Sequence, residues 1–243
     1  VVGDWHGRDF KKPLSTTRDF IEIFRAVISG EKVSIETETL HTRNFRLTID
    51  PEGDLPIWLA AINDRMLRLA GAIADGVFLT WCPPSEVQQK VDLVRAGAIE
   101  AGRDPSEIEV VLSFWGFEGN EEDVSIVRER CRRSILAYAM VPTHQAAFLE
   151  AFPTLAKAAA AWADGDRQKA LGLTGDDVLE AMCPIGPPGV VSARVQQYVA
   201  AGVDLPVLFV VGPGHSGPEP ALQTMQSTAR ALALAPDEPV TET

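Results

Sequence analysis

The sequence predicts an α/β fold in which buried parallel strands alternate with amphipathic helices. Three observations carry that prediction. The stretch PIWLAAINDRMLRLAGAIADGVFLTWCPP, residues 56–84, passes from a continuous apolar run to a helical stripe and back to an apolar run. A helix and then a strand follow over residues 84–114, and the same pair recurs over residues 190–211. Short apolar runs joined by helical segments of this length are the pattern of parallel strands linked by crossovers.

Taken in order, Val1–Gly3 reads as the tail of a strand and DWHGRDFKKP as the loop after it. Thr17–Ser29 is an amphipathic helix with Phe20, Ile23, Phe24 and Val27 on one face and Gly30 behind it. Residues 33–49 alternate weakly through Val33, Ile35, Phe45, Leu47 and Ile49, a small extended excursion. Pro56–Ala61 is expected to be a strand buried on both faces, with its proline where no ladder donor is missed. From Asn63 the period becomes helical. Met66, Leu67, Ala70, Ile73 and Ala74 share a stripe, with Asn63 as N-cap and Asp64 at the positive end of the helix dipole. Asp75-Gly76 breaks this helix and Val77–Thr80 is the next buried strand. Pro84–Ala101 is a helix with Val87, Val91, Val94 and Ala98 at helical spacing, and Ile108–Phe114 a strand. Residues 120–182 hold no strand pattern and read as three or four helices inserted before the last unit. That unit is IGPPG, a helix over Val190–Ala201, a strand over Leu205–Val211 and a terminal helix over Ala221–Leu234. Residues 236–243 are expected to form a disordered tail.

Composition excludes several functions. The 243 residues are 46% hydrophobic and 23% charged, and no apolar run approaches the ~20 residues of a membrane span. A net charge of −12 argues against nucleic acid and anionic membrane as partners. Cys82, Cys131 and Cys183 are an odd number without a CxxC, the pattern of reduced thiols in a cytoplasmic protein. His6, His41, His144 and His215 form no HxxxH or HExxH, so no metal site is expected, and no GxSxG elbow occurs. Gly212–Gly217 spells GxGxxG after a strand. A dinucleotide fingerprint needs a second strand with an acidic residue about 20 positions on, and only a helix and tail remain. The acidic run Glu118–Asp123 reads as a helix start, and Arg128, Arg130, Arg132 and Arg133 as decoration of an outer helix face.

PIWLAA, RMLRLAGAIADGVFLTW and GAIEAGRDPSEIEVVL, in this order and spacing, resemble the luciferase-like (β/α)8 oxidoreductases. Within these they are most similar to the flavin- and deazaflavin-dependent branch related to methylene-tetrahydromethanopterin reductase. IGPPGVVSARVQQYVAAGVDLPVLFVV is similar to that family's final helix and strand. The resemblance covers nearly the whole chain. It implies a TIM-barrel type fold present as its C-terminal part: a strand-four stub and about four strands in one domain over residues 1–235, with a helical insertion at about 120–182. It also implies an oxidoreductase moving hydride between coenzyme F-420, a 5-deazaflavin, and a small organic substrate, and a homodimer at full length. FMN with monooxygenase chemistry is the alternative cofactor reading. A truncated, non-catalytic scaffold is the alternative from another class.

Active sites of such barrels lie at the carboxyl ends of the strands. Here those ends are Ala60–Asn63, Thr80–Cys82, Phe114–Gly116 and Val211–Pro213. At the first, small Ala60 and Ala61 let a flat ring approach the backbone, and the amides after them, through Ile62 and Asn63, open a helix that favours a phosphate. The family often has Gly-Pro where this chain has Asn63-Asp64, and Asp64 adds negative charge there. Thr80 is placed to hydrogen-bond a ring carbonyl and Trp81 to wall the pocket. Cys82 lacks a neighbour that would activate it. No catalytic acid or base is identified beyond His6, a loop histidine that could face substrate.

Overall fold

The computed structural model describes residues 11–49, 55–214 and 217–234. The expected stub at Val1–Gly3, His6 and the C-terminal tail lie outside the described residues. The chain forms two compact units, Val1–Val77 with Asp92–Glu109, and Phe78–Val91 with Val110–Thr243.

In the first unit, helix α1 (Pro13–Ile28) starts at Pro13 rather than Thr17. A proline suits the first helical turn because its φ is already helical and its missing N–H would have had no acceptor there. Its buried residues are Asp19 and Ile21, while Phe20 stays exposed and stacks on Phe24. The excursion is an antiparallel hairpin, β1 (Val33–Glu36) and β2 (His41–Phe45). The Asp19 carboxylate pins its turn to α1 by accepting from the Thr39 N–H at 2.8 Å and hydroxyl at 2.6 Å.

The strand expected at residues 56–61 is shorter and less buried than its composition implies: β3 covers Trp58–Ala60. Trp58 and Ala60 share a face, and that face is exposed. The Trp58 ring is held by an indole N–H bond to Glu109 at 3.0 Å and lies over Gly76, where an added Cβ would come within 1.9 Å of it. Helix α2 (Asp64–Ile73) and strand β4 (Gly76–Thr80) follow as expected, then α3 (Pro84–Glu100). The buried side of α2 is Leu67, Leu69, Ala70 and Gly71, rotated from the expected stripe, and Met66 and Ile73 are only half-buried. The cause is a backbone-to-backbone crossing with α3. A Cβ on Gly71 would meet the Val94 carbonyl at 1.9 Å, and one on Gly97 the Arg68 carbonyl at 2.0 Å. Arg103 donates to the Gly71 and Ala74 carbonyls, both at 2.7 Å, and Arg25 to that of Ile73 at 3.0 Å. These bonds satisfy the carbonyls that a helix end leaves open.

In the second unit, β5 runs over Glu109–Glu118 and so passes the expected end at Phe114. The extension has a partner: β6 (Ile185–Gly186), inside IGPPG, pairs in parallel with Phe117 and Glu118. Residues Val111–Gly116 pair in parallel with β7 (Leu205–Val210). The sheet order is β3-β4-β5-β6, with β7 also on β5.

Residues 120–182 hold five helices rather than three or four: α4 (Glu121–Ala139), α5 (Gln145–Ala151), α6 (Leu155–Ala163), α7 (Arg167–Gly172) and α8 (Asp176–Met182). Breaks around Phe152-Pro153 and at Gly165, where φ is +84°, divide what composition alone runs together. These helices enclose a core of Val127, Cys131, Ile135, Phe148, Leu155 and Leu179 against Phe117. The arginines of α4 are not mere decoration. Arg128 bridges Asp176 and Glu180, each at 3.0 Å, Arg132 pairs with Asp176, and Arg130 donates to the Gly212 carbonyl. Helices α9 (Val190–Ala200) and α10 (Glu219–Ala231) are the last helices among the described residues.

Candidate functional site

At the β3–α2 joint, in the first unit, Ala60 is exposed and Ala61 buried, with Ile62 half-buried and Asn63 exposed. Asn63 is the N-cap residue, in extended conformation, and its carbonyl accepts from the Met66 and Leu67 amides at 2.9 and 3.0 Å. Its side chain makes no capping bond to the helix. Asn63, Asp64 and Arg65, which open α2, are exposed, as is Ala60 with its methyl group. Asp64, exposed in that turn, sets a negative charge against the positive helix end.

At the β4 end, in the second unit, Thr80 is half-buried and Trp81 has φ +51°, left-handed backbone that costs an aromatic residue free energy. The Trp81 ring is held at 4.9 Å from Trp115 of β5 and 5.5 Å from Tyr138 of α4. Tyr138 in turn stacks on His144 at 4.5 Å. Burial pushes the Tyr138 hydroxyl up and holds the His144 imidazole below its ordinary value. Tyr138 and His144, which pack next to Trp81, come from the helical segment and carry no motif in the sequence. Cys82 is buried, its thiol pushed up to about 12 by desolvation, and its carbonyl accepts from the Tyr198 hydroxyl at 3.0 Å. An inert thiol is what these surroundings produce.

Glu118 was also missed, because the acidic run resembles a helix start. It ends β5 instead and is buried. Its Oε1 accepts from the Gly189 and Val191 amides at the start of α9, at 2.9 and 3.0 Å, while Oε2 has no hydrogen-bond partner among the described residues. A carboxylate of the chain thus occupies the α9 N-terminus. Of the glycine loop, Gly214 has φ +90°, and His215 and Ser216 lie outside the described residues. Among the described residues no group of three or more His, Cys, Asp or Glu could hold a metal ion. No described helix is long and apolar enough to cross a membrane.

Strands that feed helices, with small or aromatic side chains at their carboxyl ends, define an α/β protein of the β/α-repeat class. The chain belongs to the luciferase-like monooxygenase family, whose sequence model matches residues 1–205. A 5,10-methylenetetrahydromethanopterin reductase of Methanolobus tindarius is 28% identical over 205 residues, which is 82% of this chain and 61% of that protein. The solved coenzyme F-420 dependent tetrahydromethanopterin reductase from Methanopyrus kandleri superposes with a TM-score of 0.73 at 24% identity, over 90% of this chain and 63% of that one. An F-420-dependent secondary alcohol dehydrogenase, in complex with an F-420–acetone adduct, superposes with a TM-score of 0.67 at 16% identity, over 94% of this chain and 65% of that one. The two structures share this fold, and the chain spans less than two thirds of the length of each relative.

Proposed function

We propose that the protein is an oxidoreductase that moves a hydride between coenzyme F-420 and a small organic substrate. The observation that carries this reading is the β3–α2 joint, where exposed Ala60, with only a methyl side chain, leads into the exposed first residues of α2. The names of the similar proteins support the choice of cofactor. Ala60, Ala61, Ile62 and Asn63 are the residues assigned to the ring edge and the phosphate. When bound, a 5-deazaflavin supplies the hydride chemistry, having carbon where a flavin has N5; the chain's part is to place the ring and exclude water. Three buried free thiols support a reducing, cytoplasmic setting.

The test is a fluorescence-quenching titration of coenzyme F-420 and of FMN, separately, into the protein extended to the length of its relatives. Ala60→Leu is the informative variant. Ala60 is exposed, so a larger side chain blocks the ring without disturbing packing, whereas Ala61 is buried. Binding of F-420 should weaken at least tenfold, about 1.4 kcal/mol, with stability unchanged. Failure of both cofactors to bind the folded protein overturns the proposal. The second reading, an FMN-dependent monooxygenase, is favoured by the family match and would show as tighter FMN binding with oxygen consumption.

A further inference from the structure

We infer that the cleft between α1 and α2 is a binding site for a small organic phosphate, a dianionic head on an apolar body. The cleft lies within the first unit, is open to solvent, and has a volume of about 380 Å³. Small-molecule sites span about 300–1,000 Å³, so a small ligand is what it fits. Arg18, Glu22 and Arg25 line it from α1, and Arg103, just past α3, adds a third guanidinium. Ile21, buried, and Ala72 and Ile73, half-buried, supply apolar surface. Residues 18, 21, 22 and 25 follow the helical repeat, so they share one face of α1. Three guanidiniums against one carboxylate leave this lining positive in a chain whose net charge is −12.

Two of the guanidiniums are anchored by the protein itself. Arg103 donates through Nη1 to the Gly71 and Ala74 carbonyls, both at 2.7 Å. Arg25 donates through Nη2 to the Ile73 carbonyl at 3.0 Å and to Asp75 at 2.9 Å. These bonds occupy the carbonyls at the negative end of α2, which would otherwise repel an anion. They leave Nε and the other terminal nitrogen of each arginine without a hydrogen-bond partner among the described residues. Arginine carries five donors in a planar fork, the geometry that binds phosphate oxygens in pairs. Arg18 is exposed and makes no hydrogen bond or ion pair among the described residues, so its whole fork is open to a ligand.

Charge and surface together set the ligand class. Glu22 opposes any anion, and Asp75 takes up part of the Arg25 charge at 2.9 Å. A monoanionic carboxylate therefore gains less here than a phosphate dianion. The apolar surface of Ile21, Ala72 and Ile73 favours an ester body over bare phosphate. The site is separate from the β3–α2 joint, since the ten residues of α2 set its two ends roughly 13 Å apart.

The full chain is titrated with phenyl phosphate by isothermal calorimetry at low ionic strength, with inorganic phosphate and benzoate as comparisons. The titration is run at about pH 8, where a phosphate monoester, with a second pKa of about 6, is a dianion. Phenyl phosphate should bind more tightly than either comparison, because it alone joins the dianion to an apolar body. Arg18→Gln should weaken its binding about tenfold, through loss of charge-assisted contacts. Glu22→Gln should tighten it about threefold, through loss of the opposing charge. Both residues are exposed and make no hydrogen bond or ion pair among the described residues, so thermal midpoints without ligand should match the wild type. Absence of phenyl phosphate binding, unchanged binding in Arg18→Gln, or weaker binding in Glu22→Gln would each overturn the inference. Equal affinity for inorganic phosphate would overturn the apolar body, and equal affinity for benzoate would overturn the dianion.

Discussion

Trp81 combines an unfavourable backbone with a favourable ring environment, and the two separate by substitution. Left-handed φ costs a non-glycine residue about 1–2 kcal/mol, whereas the contacts with Trp115 and Tyr138 are lost in any truncation. Trp81→Gly should therefore be more stable than Trp81→Ala by about 1 kcal/mol, read from urea midpoints, although both fall below the wild type. Equal stability would show that the φ carries no cost. His144 makes a pH prediction. Burial lowers its folded pKa, so the folded chain binds fewer protons than the unfolded one as pH falls below the unfolded value of about 6.5. Its contribution to stability is present above that pH and is lost as pH falls through the folded pKa. His144→Phe should flatten the slope of stability as pH falls below about 6.5. Position along the chain was enough to place Trp81 directly after β4. Tyr138, His144 and Glu118 were not legible, because their roles are set by partners that only the fold brings near.

The crossing of α2 and α3 turns an ordinary helix rule around. Glycine inside a helix costs roughly 0.5–1 kcal/mol relative to alanine, so Gly97→Ala on an isolated α3 would stabilise it. In the protein the new methyl would meet the Arg68 carbonyl at 2.0 Å, and backbone cannot rotate away as a side chain does. Gly97→Ala should destabilise by about 3 kcal/mol or prevent folding. Gly102→Ala is a poor comparison because φ there is +73°; Gly172→Ala, at the end of α7 with open space around it, should be near neutral. Thermal midpoints of the two variants decide the matter, and a neutral Gly97→Ala would mean the helices do not touch there. The same crossing explains what periodicity could and could not read. Helices and strands from α2 to β5 were legible as changes of apolar period. The rotation of the α2 stripe was not, since a glycine contact carries no hydrophobic signal. The extension of β5 was not, since its partner β6 lies far along the chain.

The described residues keep the order of strand, helix and helical segment from β3 to β7, and among them β7 and β3 carry exposed apolar side chains. In the second unit, Leu205 and Phe209 share a face of β7 and are 45% and 51% exposed. In the first unit Trp58 on β3 is 46% exposed. Among the described residues β7 pairs only with β5, so one row of its backbone donors and acceptors lacks a partner strand. An apolar strand with an unpaired edge invites pairing with another chain, and neither Leu205 nor Phe209 is a charged gatekeeper. The net charge of −12 opposes association, but at physiological ionic strength it is screened beyond about 8 Å, so repulsion is weak at contact. The 243-residue chain should therefore self-associate at moderate salt and less so at low salt. Phe209→Lys should shift it to monomer, because the lysine charges the exposed face while leaving the β5–β7 ladder intact. Sedimentation velocity of wild type and variant over a concentration series reads this directly. A wild-type chain that stays monomeric throughout, or an assembly that Phe209→Lys leaves unchanged, would place the association elsewhere.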